Sequence, residues 1–238
     1  MSLLQTYQAI AEQEWIDIPQ GWLQGRTIYG GLVAGLMMQK AQHCIADPEK
    51  RLLSSSVTFV GPVQQGRARL TAEILRQGKS VTSIEVRLWQ DDAVQSILIA
   101  SFGVARESSI VVQQERAAPN FPPVTELPVT EHHPLAPECF QQMDLVWAEG
   151  QYPFSASHKP DFAGWMRFNP KKHANRAMTI ADLMVAFDMW PPGVLPMFSQ
   201  LAPASSLTWH VTYVNPLQNQ LHDWMKYKVF TDHASDGY

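Results

Sequence analysis

The first strongly apolar segment of the chain predicts a buried helix. It covers residues 30–44, GGLVAGLMMQKAQHC, and places Leu32 and Leu36 at helical spacing. Gly31 and Gly35 lie four residues apart, so one face of this helix has no side chains. Because each glycine costs about 1 kcal/mol inside a helix, the pair indicates a face that packs closely on another backbone or binds a ligand.

Alternation of apolar and polar positions predicts a series of β-strands after this helix. The segments are residues 54–60, 69–76, 81–89 and 95–105, separated by turns at Gly61-Pro62, Gln77-Gly78-Lys79 and Asp91-Asp92. One helix followed by antiparallel strands predicts an α+β unit in which the helix packs on a meander-like sheet.

A proline-rich segment separates this unit from a second one. Residues 109–141 are predicted to form a surface linker between an N-terminal unit, 1–108, and a C-terminal unit, 142–238, because proline disfavours helices and central strands alike. His132 and His133 lie in the linker, where a solvated pair is favoured over a metal site.

The C-terminal unit repeats the order of elements. A strand-like pattern at 154–168 precedes an apolar helix at 179–189, which Thr179 is predicted to cap and Pro191-Pro192-Gly193 to end. Two further strands are predicted at 206–214 and 224–231.

An internal repeat links the two halves. Residues 57–64 read VTFVGPVQ and residues 211–218 read VTYVNPLQ, and each copy follows an apolar helix. The two halves are therefore predicted to share one fold. The first copy is followed by the strands within 81–105, whereas no equivalent strands precede Tyr238. The C-terminal unit is expected to lack its last strands and to present a bare sheet edge.

Composition narrows the possible functions. The chain has 238 residues, of which 45% are hydrophobic and 17% charged, as in a globular protein, and its net charge of -4 disfavours nucleic-acid binding. Cys44 and Cys139 lack metal-ligand spacing and are expected to be free thiols in a reducing compartment. No signal peptide or membrane-spanning segment is recognised, so a cytoplasmic location and no membrane partner are expected.

Common catalytic motifs are missing from the sequence. There is no G-x-S-x-G elbow, no phosphate-binding loop, no complete G-x-G-x-x-G and no H-E-x-x-H, so neither a covalent serine mechanism nor a metal site is indicated. One acid remains early in the second helix, Asp182. It either complements the helix dipole, worth about 0.3–1 kcal/mol, or acts as a general base. Asp188, near the end of that helix, is expected at a surface turn.

The strand that follows this helix carries small hydroxyl side chains. Ser206, Thr208 and His210 share one face because side chains alternate along a strand. Such hydroxyls could orient a water molecule or a thioester oxygen, or could simply face solvent. The opposite face is predicted to belong to the core and consists of Leu207, Trp209, Val211 and Tyr213.

These motifs, taken in order, resemble those of acyl-CoA thioesterase II and its relatives. The run at 29–35 is similar to the family's F-G-G-x-V-x-G helix start. The remaining similar motifs are Phe59-Val60-Gly61-Pro62, Gly66, Leu75-Arg76-Gln77-Gly78-Lys79-Ser80, Ala100-Ser101-Phe102, Ala181-Asp182 and Tyr213-Val214-Asn215-Pro216.

The resemblance implies a double hotdog fold that hydrolyses acyl-CoA thioesters with an activated water and no metal or redox cofactor. It implies a catalytic aspartate at Asp182 and a hydroxyl at Ser206, with Thr208 on the same face. The family's catalytic glutamine has no counterpart before Tyr238. Backbone N–H groups at a helix start, around Gly31 or Asp182, would stabilise the oxyanion, and Gly30 and Gly31 are expected to bind the substrate. Association of hotdog sheets into a homo-oligomer is also expected.

Two alternatives stay open at this point. A hotdog hydratase or dehydratase would pair its aspartate with a histidine, but His173 precedes Asp182 in a different setting. A non-catalytic acyl-CoA-binding or assembly module would keep the fold without the chemistry. Binding of a ligand without turnover would distinguish that module from an enzyme.

Overall fold

The computed structural model describes residues 1–115, 117–128 and 136–237; His132 and His133 lie outside the described residues. The described part contains helices α1 (Leu3–Glu12), α2 (Gly30–Cys44) and α3 (Ile180–Phe187). Its strands are β1 (Trp15–Asp17), β2 (Leu23–Gln24), β3 (Thr27–Ile28), β4 (Arg51–Phe59), β5 (Arg67–Gln77), β6 (Val81–Gln90), β7 (Ala93–Gly103), β8 (Met143–Gly150), β9 (Phe162–Phe168), β10 (Thr208–Thr212) and β11 (Met225–Lys228). Short 3-10 helices cover Val124–Glu126, Glu138–Gln142 and Leu195–Met197. This mixture confirms the α+β prediction.

Helix α2 has the predicted bounds and forms the centre of the core. Leu32 and Leu36 are fully buried, and α2 contacts strands β5, β6 and β7 of the larger sheet as well as both other helices. The predicted close approach of its glycine face is confirmed. A Cβ atom added at Gly35 would lie 2.6 Å from Val185 Cγ2 and 2.8 Å from the Ala181 carbonyl oxygen in α3. The absence of a side chain at this position therefore allows α2 and α3 to pack backbone against backbone.

The larger sheet joins the two halves of the chain. Its strand order is β1-β5-β6-β7-β4-β10, and every pairing is antiparallel. Strand β10 from the second half pairs with β4 from the first, with Val57 opposite Trp209 and Ser55 opposite Val211. Val211 is the repeat equivalent of Val57, and Trp209 is the repeat equivalent of Ser55, because each lies 154 positions later in the chain. The two pairs are therefore equivalent to each other. The register therefore relates the two copies of the repeat by an approximate two-fold symmetry.

The smaller sheet has the strand order β11-β9-β8. Part of the proline-rich segment covers it, since the buried Phe121 packs edge-on against Trp165 and the Pro122 carbonyl accepts a 3.0 Å hydrogen bond from the Trp165 indole. The strand pattern at 154–168 was predicted too long. Backbone φ angles of 64° at Phe154 and 72° at Asp161 are incompatible with a strand, so β9 begins at residue 162.

Helix α1, the short strands β1, β2 and β3, strand β8 and the 3-10 helices were not predicted. Helix α1 is set by a capping box in which Ser2 and Gln5 bond each other's backbone N–H. Strand β8 pairs with β9 along its whole length. The predicted core face of β10 holds for Trp209, Val211 and Tyr213, which are half-buried. It is wrong for Leu207, which precedes the strand and is 57% exposed.

Candidate functional site

Asp182 lies in the first turn of α3 and is completely buried. Its two carboxylate oxygens accept hydrogen bonds from the Arg176 guanidinium at 2.6 and 2.8 Å. Thr179 donates from both its backbone N–H and its hydroxyl at 2.8 Å, which completes a capping box and confirms Thr179 as the helix cap. This arrangement supports a structural role at the helix start. The catalytic role assigned to Asp182 by the resemblance stays a prediction.

The structure does not bring Ser206 and Thr208 to Asp182. Thr208 lies opposite Thr58 and is exposed on the face of the sheet that points away from the helices, and Ser206 lies in the exposed segment before β10. Their catalytic roles also stay predictions. His210, on the same outer face, contacts the Ser56 hydroxyl through Nδ1 at 2.9 Å.

Asp188 occupies a different place from the one that the sequence suggested. It is the C-cap residue of α3, and its carboxylate points at the start of α2 instead of a surface turn. The Gly31 N–H donates a 2.8 Å hydrogen bond to Asp188 Oδ2. A Cβ atom added at Gly30 would lie 2.8 Å from the same oxygen and 3.3 Å from the Phe59 ring. The two glycines predicted to bind substrate therefore form a bare corner, meaning one without side chains of its own, which is in close contact with Asp188, Phe59 and the Tyr29 ring.

Burial governs the acidity of Asp188. Desolvation raises the pKa of its carboxyl to about 7 from an ordinary value near 3.8, although the Gly31 N–H acts in the opposite direction. Burial also raises the pKa of the neighbouring Cys139 thiol to about 12 and raises the pKa of the Tyr227 hydroxyl. Asp188 is therefore ionisable near neutral pH among groups that stay uncharged.

The sequence carries one signal for Asp188, its unfavourable position for the helix dipole, but Trp190-Pro191-Pro192 after it favoured a surface turn. A carboxylate at the C-terminal end of a helix opposes the helix dipole, so such a residue needs a compensating partner elsewhere. Here the partner is the N-terminal end of α2, where the first N–H groups lack acceptors within the helix. No local pattern identifies that partner, because it lies 157 residues away along the chain.

His173 lies close enough to Asp182 for the carboxylate to act on the pKa of its imidazole. Burial is the larger influence and lowers that pKa to about 4. Its Nε2 atom lies 3.0 Å from Gln142 Oε1. The pairing of an aspartate with a histidine that a hydratase needs is therefore not formed by a direct contact of these two side chains.

Within residues 1–115, 117–128 and 136–237, no group of three or more His, Cys, Asp or Glu side chains could hold a metal ion. Cys44 and Cys139 are free thiols, as expected from their spacing. None of the described helices combines the length and apolar character needed to cross a membrane.

Comparison with solved structures defines the fold class as a double hotdog. A hotdog-fold protein of unknown function from Alicyclobacillus acidocaldarius superposes with a TM-score of 0.75 at 21% identity, covering 87% of this chain and 77% of that one. A putative thioesterase II from Thermobifida fusca gives 0.79 at 16% identity, covering 97% and 87%. An acyl-CoA thioesterase II from Mycobacterium marinum gives 0.67 at 19% identity, covering 97% and 88%.

Family models then assign the chain. Residues 18–103 match the acyl-CoA thioesterase N-terminal domain and residues 116–238 match the acyl-CoA thioesterase C-terminal domain. The protein belongs to the acyl-CoA thioesterase family, which confirms the family resemblance. No protein of curated function matches the sequence.

Proposed function

We propose that the protein hydrolyses acyl-CoA thioesters to the free acid and CoA, with Asp188 as the general base. The observation that supports this assignment is the contact between Asp188 Oδ2 and the Gly31 N–H at the start of α2. It places a carboxyl with a pKa of about 7 beside a helix N-terminus that has no side chains at residues 30 and 31. A base is most effective when its pKa lies near the working pH.

The proposed reaction uses the Asp188 carboxylate and the backbone N–H groups at the start of α2. Asp188 Oδ1 holds a water molecule and takes its proton as the water oxygen attacks the thioester carbonyl carbon. Remaining N–H groups in the first turn of α2 face the oxyanion that develops on the carbonyl oxygen. The carbon–sulfur bond then breaks, and the CoA thiolate receives the proton from Asp188. One water is consumed and one acid and one thiol are formed.

The bare glycine corner explains how a substrate carbonyl could approach the helix. A side chain at residue 30 would meet both the Asp188 carboxylate and the Phe59 ring, so only glycine fits at that point and no side chain of α2 stands between its first N–H groups and a substrate. Phe59 packs edge-on against Trp209, with ring centroids 4.9 Å apart. These rings provide an apolar wall next to Asp188 for the acyl group.

The proposal also includes the substrate class, the location and the oligomeric state that were predicted from the sequence. Acyl-CoA is the substrate class that family membership supports, and a cytoplasmic location and a homo-oligomer are expectations from the sequence. Asp188 replaces Asp182 as the proposed base because both oxygens of Asp182 already bind Arg176.

The test is thiol release from short, medium and long acyl-CoAs by the parent, Asp188→Asn and Asp182→Asn. Asp188→Asn is expected to lower kcat by about a hundredfold or more, the usual contribution of a general base. Asp182→Asn is expected to retain turnover per folded molecule. The opposite pattern would restore Asp182 as the base and contradict the proposal.

Two further readouts separate the alternative functions. Acyl-CoA binding without thiol release from any chain length, by a folded parent protein, would indicate a binding module. Consumption of a 2-enoyl-CoA without thiol release would indicate a hydratase. Either result would overturn hydrolysis as the function.

A further inference from the structure

Two reciprocal hydrogen bonds connect the start of α2 with the end of α3. The Asp188 carboxylate at the end of α3 accepts from the Gly31 N–H at the start of α2. In the other direction, the Tyr29 hydroxyl, from the residue before α2, donates to the Val185 carbonyl in the last turn of α3 at 2.6 Å. Each helix end therefore supplies the capping group that the other end lacks.

The Tyr29 side chain is held firmly in this place. It is 1% exposed, and its ring stacks on Trp22 with centroids 6.1 Å apart. Its ring also lies against Gly31, where an added Cβ atom would come within about 2.5 Å of three ring and hydroxyl atoms. The Tyr29 hydroxyl consequently fixes the Val185 carbonyl, three residues before Asp188. The Tyr29 ring supports Gly31, whose N–H donates the hydrogen bond to Asp188.

We propose that Tyr29 is a positioning residue that holds the last turn of α3 so that the Asp188 carboxylate faces the bare corner at Gly30 and Gly31. The inference rests on the proposed function of Asp188. It goes further because the Tyr29 hydroxyl, which does not touch the substrate, would orient the Asp188 carboxylate that acts as the base. Nothing in the order of residues along the chain connects Tyr29 with Val185, which lies 156 positions later.

The titration of Asp188 reports on this arrangement. The titratable groups that face Asp188 are Tyr29, Cys139 from the 3-10 helix before β8, and Tyr227 from β11. From β4 the neighbouring side chain is Phe59, which has no charge. Burial raises the pKa of all three titratable neighbours, so they are neutral at pH 7. Removing one hydroxyl changes the solvation of Asp188 without removing a charge.

The experiment compares Tyr29→Phe with the parent in the full chain. Phenylalanine keeps the ring, and it is the residue at this place in the F-G-G motif that residues 29–31 resemble, so the variant is expected to fold. Looser packing of the α3 end admits water to Asp188. Because burial is the larger cause of its raised pKa, the Asp188 titration is expected to move down by about one pH unit or more.

Both a structural and a kinetic measurement are made. Carboxyl carbon NMR of aspartate-labelled protein follows the titration, with Asp188→Asn identifying the signal. The acidic limb of the kcat profile is expected to move the same way, and kcat to fall about ten- to a hundredfold with little change in KM, because the base is misplaced while binding remains.

The matched control is Tyr213→Phe, which removes a second tyrosine hydroxyl that contacts α3, here a partly buried one that contacts Met184 Sδ. It is expected to leave the Asp188 titration unchanged. An Asp188 titration that is the same in Tyr29→Phe and the parent would overturn the inference. So would an equal shift in Tyr213→Phe, because the effect would then be general loosening of α3.

Failure of the two proposals can be told apart. A parent protein that releases no thiol contradicts the proposed function, whereas the NMR titration still decides whether Tyr29 positions the Asp188 carboxyl. If Tyr29→Phe does not fold, Trp22→Phe takes its place, since it weakens the stack that holds the Tyr29 ring. It is expected to move the titration in the same direction by a smaller amount, and no movement would contradict the inference.

Discussion

Replacing Asp188 with asparagine is expected to stabilise the folded protein at neutral and alkaline pH. In the parent, burial raises the pKa of this carboxyl from near 3.8 to about 7, so the ionised form is less favourable in the folded state than in the unfolded chain. Asparagine has nearly the same shape, can still accept from the Gly31 N–H, and carries no charge. The variant therefore avoids the cost of burying a carboxylate.

The size of the effect follows from the pKa displacement. A change of roughly 3 units, at 1.36 kcal/mol per unit, corresponds to an upper limit of about 4 kcal/mol. Asp188 is only partly buried by surface area, and solvent screening reduces this figure, so a gain of about 2 to 4 kcal/mol is expected. A gain in stability combined with a loss of turnover is typical of a residue retained for chemistry.

The pH dependence has a defined sign. A group whose pKa is raised on folding contributes stability that is fully present below its unfolded pKa and is lost as the pH rises through its folded pKa. For Asp188 that window runs from about 3.8 to about 7. The difference in free energy of unfolding, variant minus parent, should rise across this window and stay constant above it.

Urea denaturation of both proteins at half-unit steps from pH 4 to pH 8 measures this difference. Each series should be checked for equal dependence on urea concentration, so that the compared transitions are the same. A difference that stays flat from pH 4 to pH 8 would show that Asp188 has an ordinary pKa. It would also remove the reason for regarding this carboxyl as a base adjusted to neutral pH.

Three further outcomes are expected. Asp182→Asn should lower the free energy of unfolding by about 3 to 5 kcal/mol in urea denaturation, because Arg176 loses a buried bidentate partner. Gly35→Ala should lower it by about 1 to 3 kcal/mol in the same assay, because the new methyl would lie 2.6 Å from Val185 Cγ2. As the pH falls from 6.5 to about 4, the parent should lose up to about 3 kcal/mol relative to His173→Gln, because the folded protein resists protonation of this buried imidazole.

Each of these outcomes has a result that would contradict it. Asp144→Asn is the control for Asp182, because the Asp144 pair with Arg167 is partly exposed and should contribute less than about 1 kcal/mol. Equal losses in the two aspartate variants would refute the distinction between buried and exposed pairs. Gly35→Ala should not be stabilising, although alanine is the better helix former by about 1 kcal/mol. Identical pH dependence of the parent and His173→Gln would show that His173 titrates normally.

Local patterns in the sequence determined the main elements. The apolar runs at 30–44 and 179–189 and the alternation at 81–89 predict elements that the structure contains, with bounds that agree to within two residues. Helix and strand periodicity depend on neighbours a few positions apart, so they can be read from a single sequence. The repeat offset of 154 residues likewise predicts that the two halves share one fold, whereas the pairing of β4 with β10 was seen only in the structure.

The tertiary structure decided the candidate site. Asp182 was the obvious acid because it lies early in an apolar helix, yet its carboxylate binds Arg176, a residue only six positions earlier that the helix pattern does not point to. Asp188 gained its partner and its raised pKa only when the end of α3 met the start of α2, across a separation of 157 residues. Desolvation depends on everything that surrounds a group in three dimensions, whereas a sequence pattern records only its neighbours along the chain.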